Sequence, residues 1–377
     1  MNVVVAIDSF KGSLSSTQAG NAVREAVLSL DKEASVEVFP LADGGEGTVD
    51  ALSSVGNAEI VEITVKGPLL NPTPAKYCIM RETDTAVIEM ASASGITLIS
   101  PEERNPLKAT TYGVGELIND AIEKGCRRFI VGIGGSATND GGTGMLRALG
   151  FMFLDKEGEE IPPGAGGLKN LDRIDSSKVN PKLEECYFQI ACDVNNPLCG
   201  ENGCSAIFGP QKGATKEMIE DMDFYLKNYS KIAKGVSEKA DENFPGAGAA
   251  GGLGFAFLSF MNATLRSGIK IVLDEIGIEE AIKRADIVIT GEGRLDKQTV
   301  MGKAPIGVAN IAKKYDKKVI AFCGSATDEA ALCNDHGIDA FFPILRGVVS
   351  LDEALDVKNA YDNLYKTATQ VFRLLTL

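Results

Sequence analysis

The chain has 377 residues, which at about 100–200 residues per domain is enough for two domains with separate cores. Hydrophobic residues make up 44% and charged residues 24%, ordinary globular usage that excludes a disordered or fibrous chain. With 38 basic against 52 acidic residues the net charge is −14, so the surface repels polyanions, and a phosphate ligand needs a local pocket to hold it.

The opening residues Val3 to Ile7 form an apolar, β-branched run of the kind found in strands covered on both faces. The run stops at Asp8 and lacks a basic leader, so it is read as neither signal peptide nor membrane anchor, and the expected setting is cytoplasmic, with no membrane and no nucleic acid as partner. Ser15-Ser16-Thr17-Gln18 is a capping-box pattern, and Ala19, Ala22, Val23, Ala26, Val27 and Leu30 follow at helical spacing. Val36 to Phe39 reads as the next strand and about 47–54 as a second helix. Strands of the same kind recur at Arg128 to Ile133, Asp286 to Thr290, Lys318 to Cys323 and Ala340 to Ile344, and Leu351 to Leu375 carries a helical apolar stripe.

This alternation predicts a mostly parallel, doubly wound Rossmann-like α/β sheet, with ligands beyond the carboxyl ends of its strands. Residues 1–58, 92–150 and 284–377 are assigned to it. Ile60 to Met90, broken by Gly67-Pro68, Pro72 and Pro74, reads as antiparallel strands with a long turn. Residues 59–91 and 151–283 are therefore assigned to a second, inserted α/β domain, with the interdomain cleft as the expected site.

The eight cysteines include no C-x-x-C pair and read as reduced thiols; a zinc site at Cys186, Cys192, Cys199 and Cys204 would have irregular spacing. His336 is the single histidine and precedes Gly337, a helix C-cap pattern, so carboxylates and lysines must carry the chemistry.

The densest signal is the glycine-rich stretch 132–144, which leaves a strand and precedes a short helix. Its glycines allow close approach of successive N–H groups to an anion, a phosphate cradle on physical grounds. It contains a G-x-G-x-x-A at Gly132, Gly134 and Ala137, but Asn139-Asp140-Gly141-Gly142 prolongs the loop where a dinucleotide fold needs its helix. A G-x-G-x-x-G at Gly246, Gly248 and Gly251 reads as a helix start packed closely on a neighbour, and no P-loop motif occurs. Loops after other predicted strands add Asp8, Lys11, Asp43, Glu46, Asp140, Glu292 and Asp296, which one parallel sheet would bring to a single edge. Phosphates on glycine-rich backbone, several carboxylates and a few cations without histidine suit phosphoryl transfer with Mg²⁺.

Six segments, in order along nearly the whole chain, carry a resemblance: D-S-F-K-G at 8–12, A-D-G-G-E-G-T at 42–48, G-G-S-A-T-N-D-G-G at 134–142, C-D-V-N-N-P at 192–197, F-G-P-Q-K-G at 208–213 and G-E-G-R-L-D at 291–296. Together they resemble the bacterial type I glycerate kinases. The resemblance implies phosphorylation of D-glycerate by ATP, with 2-phosphoglycerate favoured, on a two-domain α/β fold.

Under that reading Gly134, Gly135, Ser136, Thr138, Asn139, Gly141 and Gly142 are expected on the ATP phosphates. Asp193 is expected as the proton acceptor, with Lys11 and Lys212 as catalytic cations. Asp8, Ser9 and Arg294 are expected on the substrate, and Asp43, Glu292 and Asp296 on Mg²⁺. A nicotinamide-dependent hydroxy-acid dehydrogenase and a non-catalytic sugar-acid-binding protein remain as alternatives, and a homo-oligomer is left open.

Overall fold

The computed structural model describes residues 1–54 and 56–375. The strands, in chain order, are β1 Asn2–Ile7, β2 Ser35–Val38, β3 Ala58–Lys66, β4 Pro72–Met80, β5 Thr85–Glu89, β6 Arg128–Gly132, β7 Met152–Leu154, β8 Arg173–Asp175, β9 Tyr187–Ala191, β10 Ala263–Arg266, β11 Ile287–Leu295, β12 Lys318–Ala326 and β13 Ala340–Pro343. The chain divides into two compact units, one of residues 1–43, 50–55 and 269–377, the other of residues 44–49 and 56–268.

The first unit is built on a five-stranded sheet in the order β13-β12-β11-β1-β2, parallel throughout. Val3, Val5, Ile7, Ile287 and Ile289 pack with Ala19, Ala22, Val23 and Ala26 of helix Ser16–Leu30 and with Leu364, Ala368 and Phe372 of helix Val357–Leu375. The alternate residues Val4, Ala6 and Val288 are buried as well, so both faces of these strands are covered, as their unbroken apolar runs require. The capping box at Ser15 and Gln18 forms as expected and starts the first helix. His336 sits at the C-cap of helix Leu332–Asp335, followed by Gly337 at φ +96°. Where one final helix was expected from Leu351, Asp356 separates Leu351–Leu355 from Val357–Leu375.

The second unit is built on a mixed six-stranded sheet, β10-β9-β6-β5-β4-β3. β3, β4 and β5 form the antiparallel meander expected of 60–90, and β5, β6, β9 and β10 run parallel. Phe129 of β6 stacks on Phe188 of β9 at 4.6 Å between ring centroids, and Phe188 lies 5.6 Å from Phe257 of helix Ala249–Phe260.

Two expectations are corrected here. β6 was assigned with β1 but pairs with β5 and β9, so residues 92–150 belong to the second unit. Residues 269–283, expected in the second unit, belong to the first. An apolar β-branched run signals a buried strand but carries no label for its partner, and pairing is chosen by contacts distant in sequence.

The motif at Gly246, Gly248 and Gly251 does mark close packing at a helix start. Ala250, Gly251 and Gly252 are left-handed, Gly251 O accepts from Gly141 N–H at 2.9 Å, and a Cβ on Gly251 would lie 2.1 Å from Thr138 O. Among the described residues no helix is long and apolar enough to cross a membrane.

Gly251→Ala adds a backbone clash to a left-handed φ of +69°, whereas Gly277→Ala meets open space at φ +63°. Urea unfolding is expected to show a loss of about 2–5 kcal/mol for Gly251→Ala and about 1–2 kcal/mol for Gly277→Ala.

Candidate active site

In the first unit the chain runs from β1 to β2 on one side of the sheet and from β11 through β12 to β13 on the other, so the topological switch point lies between β1 and β11. The crevice beyond the carboxyl ends at such a point is the usual ligand position in an open α/β sheet. Asp8 follows β1 there, and its N–H donates to Gly291 O at 2.9 Å; Glu292 is the next residue of β11. The adjoining segments are stapled by Ser16, whose hydroxyl donates to Ile7 O and accepts from Leu41 N–H at 2.7 Å. That staple holds the chain two residues short of Asp43.

Asp8 is 8% exposed, and its Oδ1 accepts from Ser9 N–H at 2.7 Å. Burial pushes its pKa from an ordinary 3.8 up to about 7; Asp43 and Glu292 push the same way, against the pull of Ser9 N–H and Lys11. Glu292 is also raised, chiefly by burial; its Oε1 accepts from Thr299 Oγ1 at 2.6 Å and its Oε2 lies 3.8 Å from Lys303 Nζ. Lys11, with its side chain 83% exposed, lies 3.8 Å from Asp43, and the exposed Arg294 lies 3.9 Å from Asp296.

In the second unit the carboxyl ends of β5, β6, β9 and β10 share an edge. Gly44 and Gly45 pack into it: a Cβ on Gly132 would lie 2.2 Å from Gly44 O, and one on Gly44 would lie 2.4 Å from Ala191 Cβ. Glu89 at the end of β5 accepts from Val49 N–H at 2.8 Å. After β6 the chain exposes Gly134 and Gly135, the latter at φ +72°, and then turns inward.

From Thr138 to Gly144 the loop is buried, organised by the carboxylate of Asp140. That group accepts from Thr111 N–H at 2.8 Å, Gly142 N–H at 3.1 Å and Gly144 N–H at 3.2 Å, and from the hydroxyls of Thr110 and Thr111. Burial raises its pKa against these donors.

Lys212 supports the outer half of the loop. It sits on the single turn Pro210–Lys212, where Gly213 at φ +87° lets the chain pass close to Arg104 O. It is 2% exposed, and its ammonium donates to Ser136 Oγ at 2.8 Å and Thr138 O at 2.6 Å. Burial pushes its pKa down to about 8, with Cys204 and Asp140 opposing.

The expected residues therefore fall into two groups. Asp8, Ser9, Lys11, Asp43, Glu292, Arg294 and Asp296 lie in the first unit; Glu46, the 134–144 loop, Asp193 and Lys212 lie in the second. A single edge for all of them does not form, because β6 is in the other sheet. Within the stretch Gly134 to Gly142, where phosphate contacts are expected, Thr138, Asn139, Gly141 and Gly142 are buried, Gly141 N–H serves Gly251 and Gly142 N–H serves Asp140. Asp193 is exposed and accepts from Gly268 N–H at 3.2 Å.

Among the described residues no group of three His, Cys, Asp or Glu side chains is arranged to hold a metal. Thr299, Lys303 and the pair Thr110-Thr111 went unread in the sequence, and Ser16 was read only within a capping-box pattern. Gly302-Lys303 before the helix at Ala304 was a visible cue to Lys303, whereas Thr110 and Thr111 look like ordinary helix-capping residues.

The glycerate kinase family matches residues 3–376. The chain belongs to that family. Family membership makes it a kinase, a phosphotransferase. It is 45% identical over 377 residues to glycerate 2-kinase of Escherichia coli (strain K12), covering 100% of this chain and 98% of that protein. It is 46% identical over 375 residues to glycerate kinase of Haemophilus influenzae, covering 100% and 99%. A crystal structure of a Salmonella typhimurium LT2 protein assigned as a glycerate kinase 2 superposes with a TM-score of 0.91 at 45% identity, over 100% of this chain and 98% of that one. A helix that starts only at Thr143 agrees with a kinase of this family rather than the dehydrogenase alternative, whose fingerprint needs a helix at its glycines.

The raised pKa of Asp8 has a consequence for stability. The proton it keeps on folding favours the folded state fully below its ordinary 3.8, and that contribution is lost as pH rises through about 7. Asp8→Asn removes the titration, so thermal melts are expected to show Tm of the variant minus Tm of the wild type growing between about pH 5 and about pH 8.

Proposed function

We propose that this kinase transfers the γ-phosphoryl group of ATP to a hydroxyl of D-glycerate, by direct in-line transfer, with 2-phosphoglycerate as the favoured product. The observation that carries this reading is Lys212: a buried ammonium with no carboxylate bonded to it among the described residues, capped by Ser136 next to the exposed Gly134 and Gly135. Burying a cation with no carboxylate bonded to it is costly, and an arriving anion offsets that cost. Thr138 Oγ1, buried in the same loop and without a hydrogen-bond partner among the described residues, adds unspent polar capacity. This loop is the proposed phosphate-binding element, narrowed to Gly134, Gly135 and Ser136, with Lys212 behind them.

The switch point of the first unit is the proposed acceptor element. Its carboxylates stand ready for a hydroxyl, and Lys11 and Arg294 are exposed cations suited to the glycerate carboxylate; the Arg294 guanidinium can bind it in bidentate fashion. Mg²⁺ supplies charge neutralisation on the transferring group when it enters with ATP, held chiefly by phosphate oxygens and water. The cytoplasm, where ATP is available, is the setting this reading calls for.

Incubation with D-glycerate and MgATP is expected to form ADP in step with glycerate loss, and phosphorus NMR of the product to show the 2-phosphate ester. ADP formation independent of glycerate overturns the proposal. Gly135→Val forces a β-branched side chain to φ +72° in the exposed part of the loop and is expected to raise the ATP KM at least about tenfold, with the glycerate KM little changed.

A further inference from the structure

Three carboxylates stand around the β1–β11 switch point, and their surroundings differ. Asp43 lies 3.8 Å from Lys11. Glu292 accepts from Thr299 at 2.6 Å and lies 3.8 Å from Lys303. Asp8 is bonded through Oδ1 to the neighbouring Ser9 N–H, while among the described residues its Oδ2 receives no donor. It follows directly on β1 and is held at the sheet by Asp8 N–H on Gly291 O at 2.9 Å. The charged groups that act on it are Asp43, Glu292 and Lys11.

A base for an alcohol must be positioned, must have an oxygen to spare and must hold the proton while the phosphoryl group moves. Asp193 meets these needs less well, being exposed and turned to Gly268 N–H at 3.2 Å.

Resting on the kinase reading above, we propose that Asp8 accepts the proton of the glycerate hydroxyl during phosphoryl transfer. The hydroxyl O–H bond breaks and its proton passes to Asp8 Oδ2 as the oxygen forms a bond to the γ-phosphorus. The bond from that phosphorus to the β,γ-bridging oxygen breaks, and its electron pair leaves with ADP. Asp8 then returns the proton to water.

The test uses the full-length enzyme with Asp8→Asn, Asp8→Ala and Asp193→Asn. The first two are expected to lose about 10²–10⁴-fold in kcat, while calorimetry shows glycerate and ATP still binding within a few-fold of wild type. Added formate, a small carboxylate that fits the space left by Asp8→Ala, is expected to restore part of kcat in a saturable way. Because Asp8→Asn removes a buried like charge, its Tm should equal or exceed the wild-type value near neutral pH, which separates lost chemistry from lost fold. An unchanged kcat in both Asp8 variants overturns the proposal. So does a loss explained wholly by weakened binding, or a larger kcat loss in Asp193→Asn than in Asp8→Asn. Failure of the wild type to make ADP from D-glycerate is a different result, seen before any variant is assayed, and it removes the kinase reading instead.

Discussion

The parallel pairing of β1 with β11, in the register Val3↔Ile287 through Ile7↔Gly291, joins the start of the chain to a strand nearly three hundred residues later. Closing so long a loop costs chain entropy, which the apolar runs on both strands offset by burying both faces of the sheet. The same register brings Asp8, just past the end of β1, beside Glu292 within β11. A shift of one residue would turn the alternating side chains to the opposite faces and carry Asp8 away from Gly291. The acceptor half of the proposed chemistry is in this sense a by-product of how two hydrophobic strands align.

The second unit handles charge differently. Asp140, in the loop after β6, and Lys212, on the turn Pro210–Lys212, are both buried, and neither is bonded to the other: the acid accepts from N–H and hydroxyl donors, and the ammonium donates to a hydroxyl and a carbonyl. A carboxylate fully supplied with donors organises a backbone, as a capping residue does. An ammonium bonded only to neutral acceptors is paired less directly, and here it is bonded to Ser136, next to the exposed Gly134 and Gly135. The two halves of one glycine-rich motif thus divide their work, Gly134 to Ser136 outward and Thr138 to Gly144 inward.

Much of this was legible from residues alone. The β-branched run at Val3 to Ile7, the capping box at Ser15 and Gln18 and the proline-broken 60–90 segment each state a local preference that the folded chain keeps. The motif loops were recognisable as sites because glycines, acids and lysines right after buried strands have little else to do there. Strand partners were less legible. Arg128 to Gly132 reads like β1 in every local respect, yet its neighbours are β5 and β9, so grouping Asp140 with Asp8 failed. The inward turn after Ser136 was hidden too, since it is dictated by Gly251, Thr110 and Thr111, residues with no local tie to the loop.

Residue types and their order along the chain were enough to establish a histidine-poor phosphotransfer chemistry and its family, because those motifs are short, local and chemically constrained. Folding settled which of several similar acids and lysines is buried. Asp8 and Lys212 look no different in the sequence from Asp43 and Lys11, but burial removes water from the first pair and leaves it on the second. Desolvation and neighbouring charge are properties of a packed environment, and the chain acquires them when its two units fold.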